Sequence, residues 1–169
     1  MKRLVVVLGG AVLAAALAVA PAFANGKAAV PNYMPGNHTD VALFVDTIAP
    51  STAANKGAQT NFFAPGTAVL FRMWAVDAPG GKVLSGADVR QAFVKIPGQA
   101  NVMLKFGKLG TAANAPSYWT GTWTVPADYK LNSVVPFHVL LRTKADHRLG
   151  DFSQETLAAG SLLTIVAVP

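Results

Sequence analysis

An alternating stretch from Thr67 to Asp77 constrains the fold more than any other feature of the sequence. Every second residue in it is apolar, in a row made by Val69, Phe71, Met73 and Ala75. The intervening row carries Leu70, Arg72, Trp74 and Val76. A period of two over so many residues predicts a long β-strand with one face on a hydrophobic core. The following Pro79-Gly80-Gly81 predicts a turn, because proline cannot donate to a strand ladder and glycine readily adopts positive φ.

Extended patterns elsewhere in the chain predict six more strands. These are Val41–Ile48, Ala87–Ile96, Asn101–Phe106, Tyr118–Val125, Ser133–Ala145 and Ser161–Val168. A short extended piece at Gln59–Phe63, inside the loop Ser51–Ala64, would be an eighth strand. Asp146–Gly160 is predicted to be a connection between strands. Seven to eight strands with no long helix and no internal repeat predict an all-β sandwich.

One of these segments, Ala87–Ile96, is compatible with two structures. Ser85 could cap a helix through it. However, Ala92, Val94 and Ile96 alternate and lead to Pro97-Gly98, and this pattern favours a strand.

The first 24 residues have the features of a secretory signal peptide. Lys2 and Arg3 form a basic start, Leu4–Ala20 is apolar throughout, and Ala22-Phe23-Ala24 fits a signal-peptidase site. The alternative is a membrane anchor, since the apolar run is near the shortest length that spans a bilayer. Cleavage after Ala24 predicts an exported chain, periplasmic or secreted, with no membrane span. The predicted organisation is a signal peptide at 1–24, an N-terminal arm or linker at 25–40 and one domain at 41–169.

Charge and cysteine content exclude several classes of protein. The chain has 14 basic and 8 acidic residues, and the basic ones are spread along it. Nucleic-acid binding needs a concentrated basic footprint, so we expect no nucleic-acid partner. The absence of cysteine excludes disulfides, thiolate catalysis and cysteine metal sites. The domain must therefore be held together by its core, for which its length is sufficient.

No catalytic motif is present, and we expect neither enzyme activity nor a cofactor. Asp46, Asp77, Asp128 and Asp151 fall at strand ends or turns, where aspartate usually caps backbone N–H groups. Histidine and methionine together suit copper, which leaves a periplasmic copper-binding protein as one alternative function. The closest such pair in the sequence is Met34 and His38. A carbohydrate-binding module is another alternative, and it requires exposed, roughly coplanar Trp74, Trp119 or Tyr118.

The sequence resembles bacterial immunoglobulin-like domains. The resemblance spans Val41 to Val168. It is carried by Val69, Phe71, Asp77, Gly80, Lys82, Gly86, Ala87 and Val89, then by 122–129 and 163–165. It implies a Greek-key β-sandwich and no catalytic residues. Such domains serve as spacers, adhesin segments and ligand-binding modules, so fold alone does not assign the function.

This resemblance also implies that Gln91–Lys95 and His138–Arg142 lie on neighbouring strands. Their outward rows would then adjoin and form one face: Gln91, Phe93, Lys95, His138, Leu140 and Arg142. Aromatic and arginine side chains anchor protein interfaces, although a solvated face with a few apolar residues is also normal. The predicted function is a non-catalytic exported domain that binds another envelope or extracellular protein, or forms part of a surface assembly.

Overall fold

The computed structural model describes residues 40–50, 57–157 and 159–167. All of them belong to one compact unit. The predicted signal peptide (1–24) and the predicted arm up to residue 39, with Met34 and His38, lie outside the described residues. Within the described ranges, no helix has both the length and the apolar character needed to cross a membrane.

Eleven strands and two short 3₁₀ helices make up the described part of the chain. The strands are β1 (Val41–Ile48), β2 (Phe62–Phe63), β3 (Ala68–Asp77), β4 (Val89–Lys95), β5 (Val102–Met103), β6 (Lys105–Lys108), β7 (Ser117–Thr124), β8 (Ser133–Val134), β9 (His138–Thr143), β10 (Leu149–Ser153) and β11 (Thr164–Ile165). The 3₁₀ helices are Gln154–Thr156 and Ala159–Ser161. The prediction of an all-β fold is confirmed.

Two four-stranded antiparallel sheets carry most of these strands. The first has the order β1-β3-β7-β6 and the second the order β10-β9-β4-β5. A smaller sheet, β2-β11-β8, pairs β2 with β11 in parallel and β8 with β11 antiparallel. Buried residues of both larger sheets contribute to one core, so the architecture is sandwich-like.

The predicted apolar row of β3 lies at the centre of that core. Val69, Phe71, Met73 and Ala75 are all fully buried. The second sheet contributes buried side chains of its own to this core: Ala92 and Val94 on β4, Val139 and Leu141 on β9, and Ile96 directly after β4. Burial of Ala92, Val94 and Ile96 at alternate positions confirms the strand prediction for this segment rather than the helix. The turn after β3 is also as predicted, with Gly81 at φ 66°.

The segment predicted as one strand over Asn101–Phe106 is two strands in different sheets. β5 pairs with β4 in the second sheet, and β6 pairs with β7 in the first. Leu104 stands between them, buried, and its N–H bonds to the Ala92 carbonyl 2.9 Å away. The crossing chain passes so close to Gly121 that a Cβ there would lie 2.8 Å from the Met103 carbonyl oxygen. Glycine is required at this position by the close approach of the backbone.

The segment predicted as one strand over Ser133–Ala145 also divides. β8 belongs to the small sheet and β9 to the second sheet, with Pro136 between them. Proline has no N–H to continue a ladder, so the chain changes partners here. Just before this change, the Val135 N–H still donates to the carbonyl of Leu163, the residue before β11, at 2.8 Å.

The segment Asp146–Gly160, predicted as a connection, contains a strand that the sequence analysis did not identify. β10 forms at its centre and pairs with β9 along its whole length. β10 contains glycine and aspartate, which are depleted in strands. Gly150 is buried, and the other four residues are only partly buried. Its strand structure depends on pairing and on the fit of Gly150 against Val41 and Leu43, neither of which is visible in local sequence.

Gln154 follows β10 and is fully buried at the junction of three segments. Its Nε2 donates to the Val135 carbonyl at 3.0 Å, and its Oε1 accepts from the Leu163 N–H at 3.2 Å. Its own N–H donates to the Phe137 carbonyl at 3.2 Å. The Gln154 amide therefore bridges the Val135 carbonyl and the Leu163 N–H, in place of a direct backbone hydrogen bond between these two groups.

A charged turn leads into β4. The Asp88 carboxylate accepts from Lys82 Nζ at 2.6 Å, from the Ser85 N–H at 2.9 Å and from the Ser85 hydroxyl at 2.7 Å. These bonds, that of Lys82 foremost, hold the pKa of Asp88 well below its usual range.

This low pKa predicts an acid-sensitive contribution to stability. The contribution is present above the pKa of an unfolded aspartate, about 4, and is lost as pH falls through the lower folded value. Asp88→Asn should therefore melt at a lower temperature than wild type at pH 7, with a difference that shrinks in strong acid. Thermal melts of both proteins across this pH range measure it. A difference that does not change with pH would contradict an electrostatic role for Asp88.

Candidate binding faces

The predicted interface residues lie together on the outer side of the second sheet. Cross-strand pairing places Gln91 opposite Arg142, Phe93 opposite Leu140, and Lys95 opposite His138. Gln91, Lys95 and Arg142 are exposed, whereas Phe93, His138 and Leu140 are partly buried. We call these six residues, together with Met103, the basic face.

Met103 extends the apolar centre of the basic face, which sequence reasoning missed. It lies opposite Phe93 on β5 and is 53% exposed. At the opposite edge of the same sheet, Asp151 on β10 lies opposite Leu140 on β9. The middle row therefore runs from Met103 through Phe93 and Leu140 to Asp151. The pattern of Asn101–Phe106 predicted β5 as a strand but not its partner, so this contact was not predictable.

Positive charge flanks the apolar row of the basic face. The ion pairs among the described residues join Arg72 to Asp46, Lys82 to Asp88, and Arg148 to both Asp77 and Asp146. Lys95 and Arg142 take part in none of these pairs. Arg90 is exposed at the β-bulge that precedes Gln91 and is likewise outside these pairs. Asp151, at the end of the apolar row, carries the opposite charge.

A second face lies on the outer side of the first sheet and is rich in aromatic residues. Phe44 on β1 is directly opposite Trp74 on β3, and the two are 63% and 45% exposed. Asp46 and Arg72 form the next outward pair on the same strands. Tyr118 on β7 adjoins both Trp74 and Arg72. We call Phe44, Asp46, Arg72, Trp74 and Tyr118 the aromatic face.

The polar centre of the aromatic face is a two-bond ion pair. Arg72 Nε donates to Asp46 Oδ1 at 2.9 Å, and Arg72 Nη2 donates to Asp46 Oδ2. The guanidinium carbon lies 5.1 Å from the centroid of the Tyr118 ring, within cation–π range. Hydrogen bonding to Asp46 is the main cause that raises the pKa of Arg72. The guanidinium therefore stays cationic, and the Asp46 carboxylate opposes its charge through two hydrogen bonds.

The rings of the aromatic face form an angle rather than a plane. Trp74 and Tyr118 have centroids 5.4 Å apart and ring planes inclined by 61°. With Phe44, Val45 and the ion pair they line a shallow depression of about 240 Å³. The coplanar arrangement expected for a carbohydrate platform is thus not the one observed.

Trp119, the third aromatic residue considered for a carbohydrate site, does not belong to the aromatic face. Trp119 is 5% exposed, and its Nε1 donates to the Leu84 carbonyl at 2.9 Å, so it serves the core. Met34 and His38 lie outside the described ranges. Among the described residues, no three His, Asp or Glu side chains gather in a way that could hold a metal ion.

Comparisons with protein-family models, with curated proteins and with solved structures found no match to this chain.

Proposed function

We propose that this chain is an exported, non-catalytic immunoglobulin-like domain that binds another envelope or extracellular protein through its basic face. The observation that carries the proposal is an apolar row, Met103-Phe93-Leu140, on an exposed sheet. Cationic side chains that take no part in the ion pairs of the described residues flank this row. An apolar centre with a polar rim is the anatomy of protein interfaces.

The strand order supports the immunoglobulin-like part of the proposal. In the immunoglobulin constant type, strands A, B, E and D form one sheet, and C, F and G form the other. Here β1-β3-β7-β6 has the order A-B-E-D, and β10-β9-β4-β5 has the order G-F-C followed by one further strand. The Greek-key connection expected from the sequence resemblance accounts for this order.

The charge of the basic face defines the chemistry of the partner. Lys95 and Arg142 of the basic face, and Arg90 beside it, have no acidic partner in the ion pairs among the described residues. A partner surface with an apolar centre and acidic residues around it would complement both features. Such rim charges act mainly on the association rate and on its salt dependence.

Capture of the partner from an envelope extract tests the proposal. Met103→Glu and Arg142→Glu should each lower the affinity for the captured protein by about tenfold or more, because one disrupts the apolar centre and the other reverses a rim charge. Their free energies of unfolding should stay within about 0.5 kcal/mol of wild type, since both side chains are exposed. Affinity is measured by titration of immobilised wild-type and variant domains.

Lys130→Glu is the matched control, because it reverses a positive charge, as Arg142→Glu does, at a position outside the basic face. It should bind as wild type does. Binding by wild type should also weaken as salt is raised. Equal capture by Met103→Glu, Arg142→Glu and wild type would contradict the proposal.

A further inference from the structure

We propose that the aromatic face is a second, independent binding site, and that its ligand is a neutral oligosaccharide of pyranose rings. The site is on the sheet opposite the basic face and does not depend on the protein-binding function proposed above. Phe44, Trp74 and Tyr118 supply the aromatic surface, and the Arg72–Asp46 pair supplies the polar groups.

The exposed rings favour a ligand with apolar C–H surfaces. Phe44 and Trp74 are cross-strand partners, and both are exposed to solvent. Aromatic ring faces carry partial negative charge and attract positively polarised groups. The axial C–H groups of a pyranose ring are polarised in this way by the neighbouring oxygens, so a sugar can stack on these rings while its hydroxyls stay hydrated.

The ion pair favours a neutral ligand with adjacent hydroxyls. Asp46 compensates the charge of Arg72 through two parallel hydrogen bonds, so neither an anion nor a cation gains full Coulomb attraction here. Arg72 Nη1 has no partner among the described residues and can donate to a hydroxyl. The Asp46 oxygens retain lone pairs that can accept from the next one. Stacking on Tyr118 holds the guanidinium in place before a ligand arrives.

The angle between the rings restricts the form of the saccharide. Trp74 and Tyr118, inclined by 61°, cannot lie flat on the regular surface of an insoluble polysaccharide. A depression of about 240 Å³ accommodates one or two sugar rings of a single chain. It is smaller than most small-molecule pockets, so we expect a dissociation constant of about 0.1–1 mM.

Tryptophan fluorescence is a direct probe of this site, because Trp74 is exposed whereas Trp119 and Trp123 are buried. The domain is titrated with maltotetraose, cellotetraose and chitotetraose. At least one of them should give a saturable blue shift as a sugar covers Trp74. Trp74→Ala should abolish the shift. Phe44→Ala and Arg72→Lys should weaken binding by about tenfold, since lysine cannot reproduce the two-bond geometry; calorimetry gives their affinities.

Two control variants show whether the saccharide binds at the aromatic face. Phe62→Ala removes an aromatic ring of similar exposure outside the aromatic face and should leave the titration unchanged. Arg142→Glu on the basic face should also leave it unchanged, so the two proposals fail separately. The inference is overturned if none of the three saccharides binds, or if calorimetry shows that Trp74→Ala binds them as tightly as wild type. It is equally overturned if Trp74→Ala abolishes protein capture while saccharides have no effect, since the aromatic face is then a protein interface.

Discussion

Truncating Phe137 to alanine should lower the free energy of unfolding by about 3–5 kcal/mol. Phe137 is 4% exposed and lies just before β9. Its ring packs edge-on against Phe71 of the opposite sheet, with centroids 5.0 Å apart, and also against Phe152 at 6.1 Å. The alanine variant loses this burial and leaves a cavity between the two sheets. A domain of this kind has about 5–15 kcal/mol of total stability, so the variant should be marginal or unfolded.

Urea or guanidinium melts measure this loss. Leu131→Ala is the control, because Leu131 is a large apolar residue that is 45% exposed, and it should change the midpoint little. A Phe137→Ala midpoint equal to that of wild type would show that the two sheets do not share the core described above.

Replacing Gln154 with leucine should cost about 2–5 kcal/mol, although the substitution makes the residue more hydrophobic. It leaves the Val135 carbonyl and the Leu163 N–H buried without partners, and each such group costs about 1–3 kcal/mol. Denaturant melts at neutral pH measure the loss. A leucine variant as stable as wild type would mean that these groups find other partners.

Gln154→Glu distinguishes hydrogen bonding from packing, because glutamate has nearly the shape of glutamine. Burial and the facing Val135 carbonyl should raise the folded pKa of the new carboxyl above its unfolded value of about 4.3. Its favourable bonding is then present below the unfolded pKa and is lost as pH rises through the folded one. The free energy of unfolding that this variant loses relative to wild type should therefore be smaller at acid pH than at neutral pH.

Alternation in the sequence was sufficient to predict which side chains are buried. The rows of β3 and β4 were predicted residue by residue, because one-sided burial imposes a period of two on the sequence. The same rule did not reveal where strands change sheet. Val135, Phe137, Val139 and Leu141 are all buried, so the apolar row continues through Pro136 while the backbone changes partners. Side-chain alternation reports burial but not hydrogen-bonding partners.

Six of the seven residues of the basic face were predicted to lie together, whereas the aromatic face was predicted only in part. Arg72 and Trp74 point outward from β3 as their alternation predicts. Phe44 and Asp46 share the outward row of β1, but no local pattern gives the register that sets Phe44 against Trp74 and Asp46 against Arg72. Contacts between strands so distant in sequence depend on tertiary pairing, which local propensity does not determine.

Two places where the chain passes directly between sheets have a consequence for cooperativity. Leu104 links β5 of the second sheet to β6 of the first, and the segment around Pro136 links β8 of the small sheet to β9 of the second. Because these links are only a few residues long, separating one sheet displaces a strand of its neighbour. We therefore expect the described sheets to unfold together, in one all-or-none step. Backbone amides of β3 and β9 should exchange with solvent through the same global opening. In a chain without disulfides, these short crossings join the layers covalently.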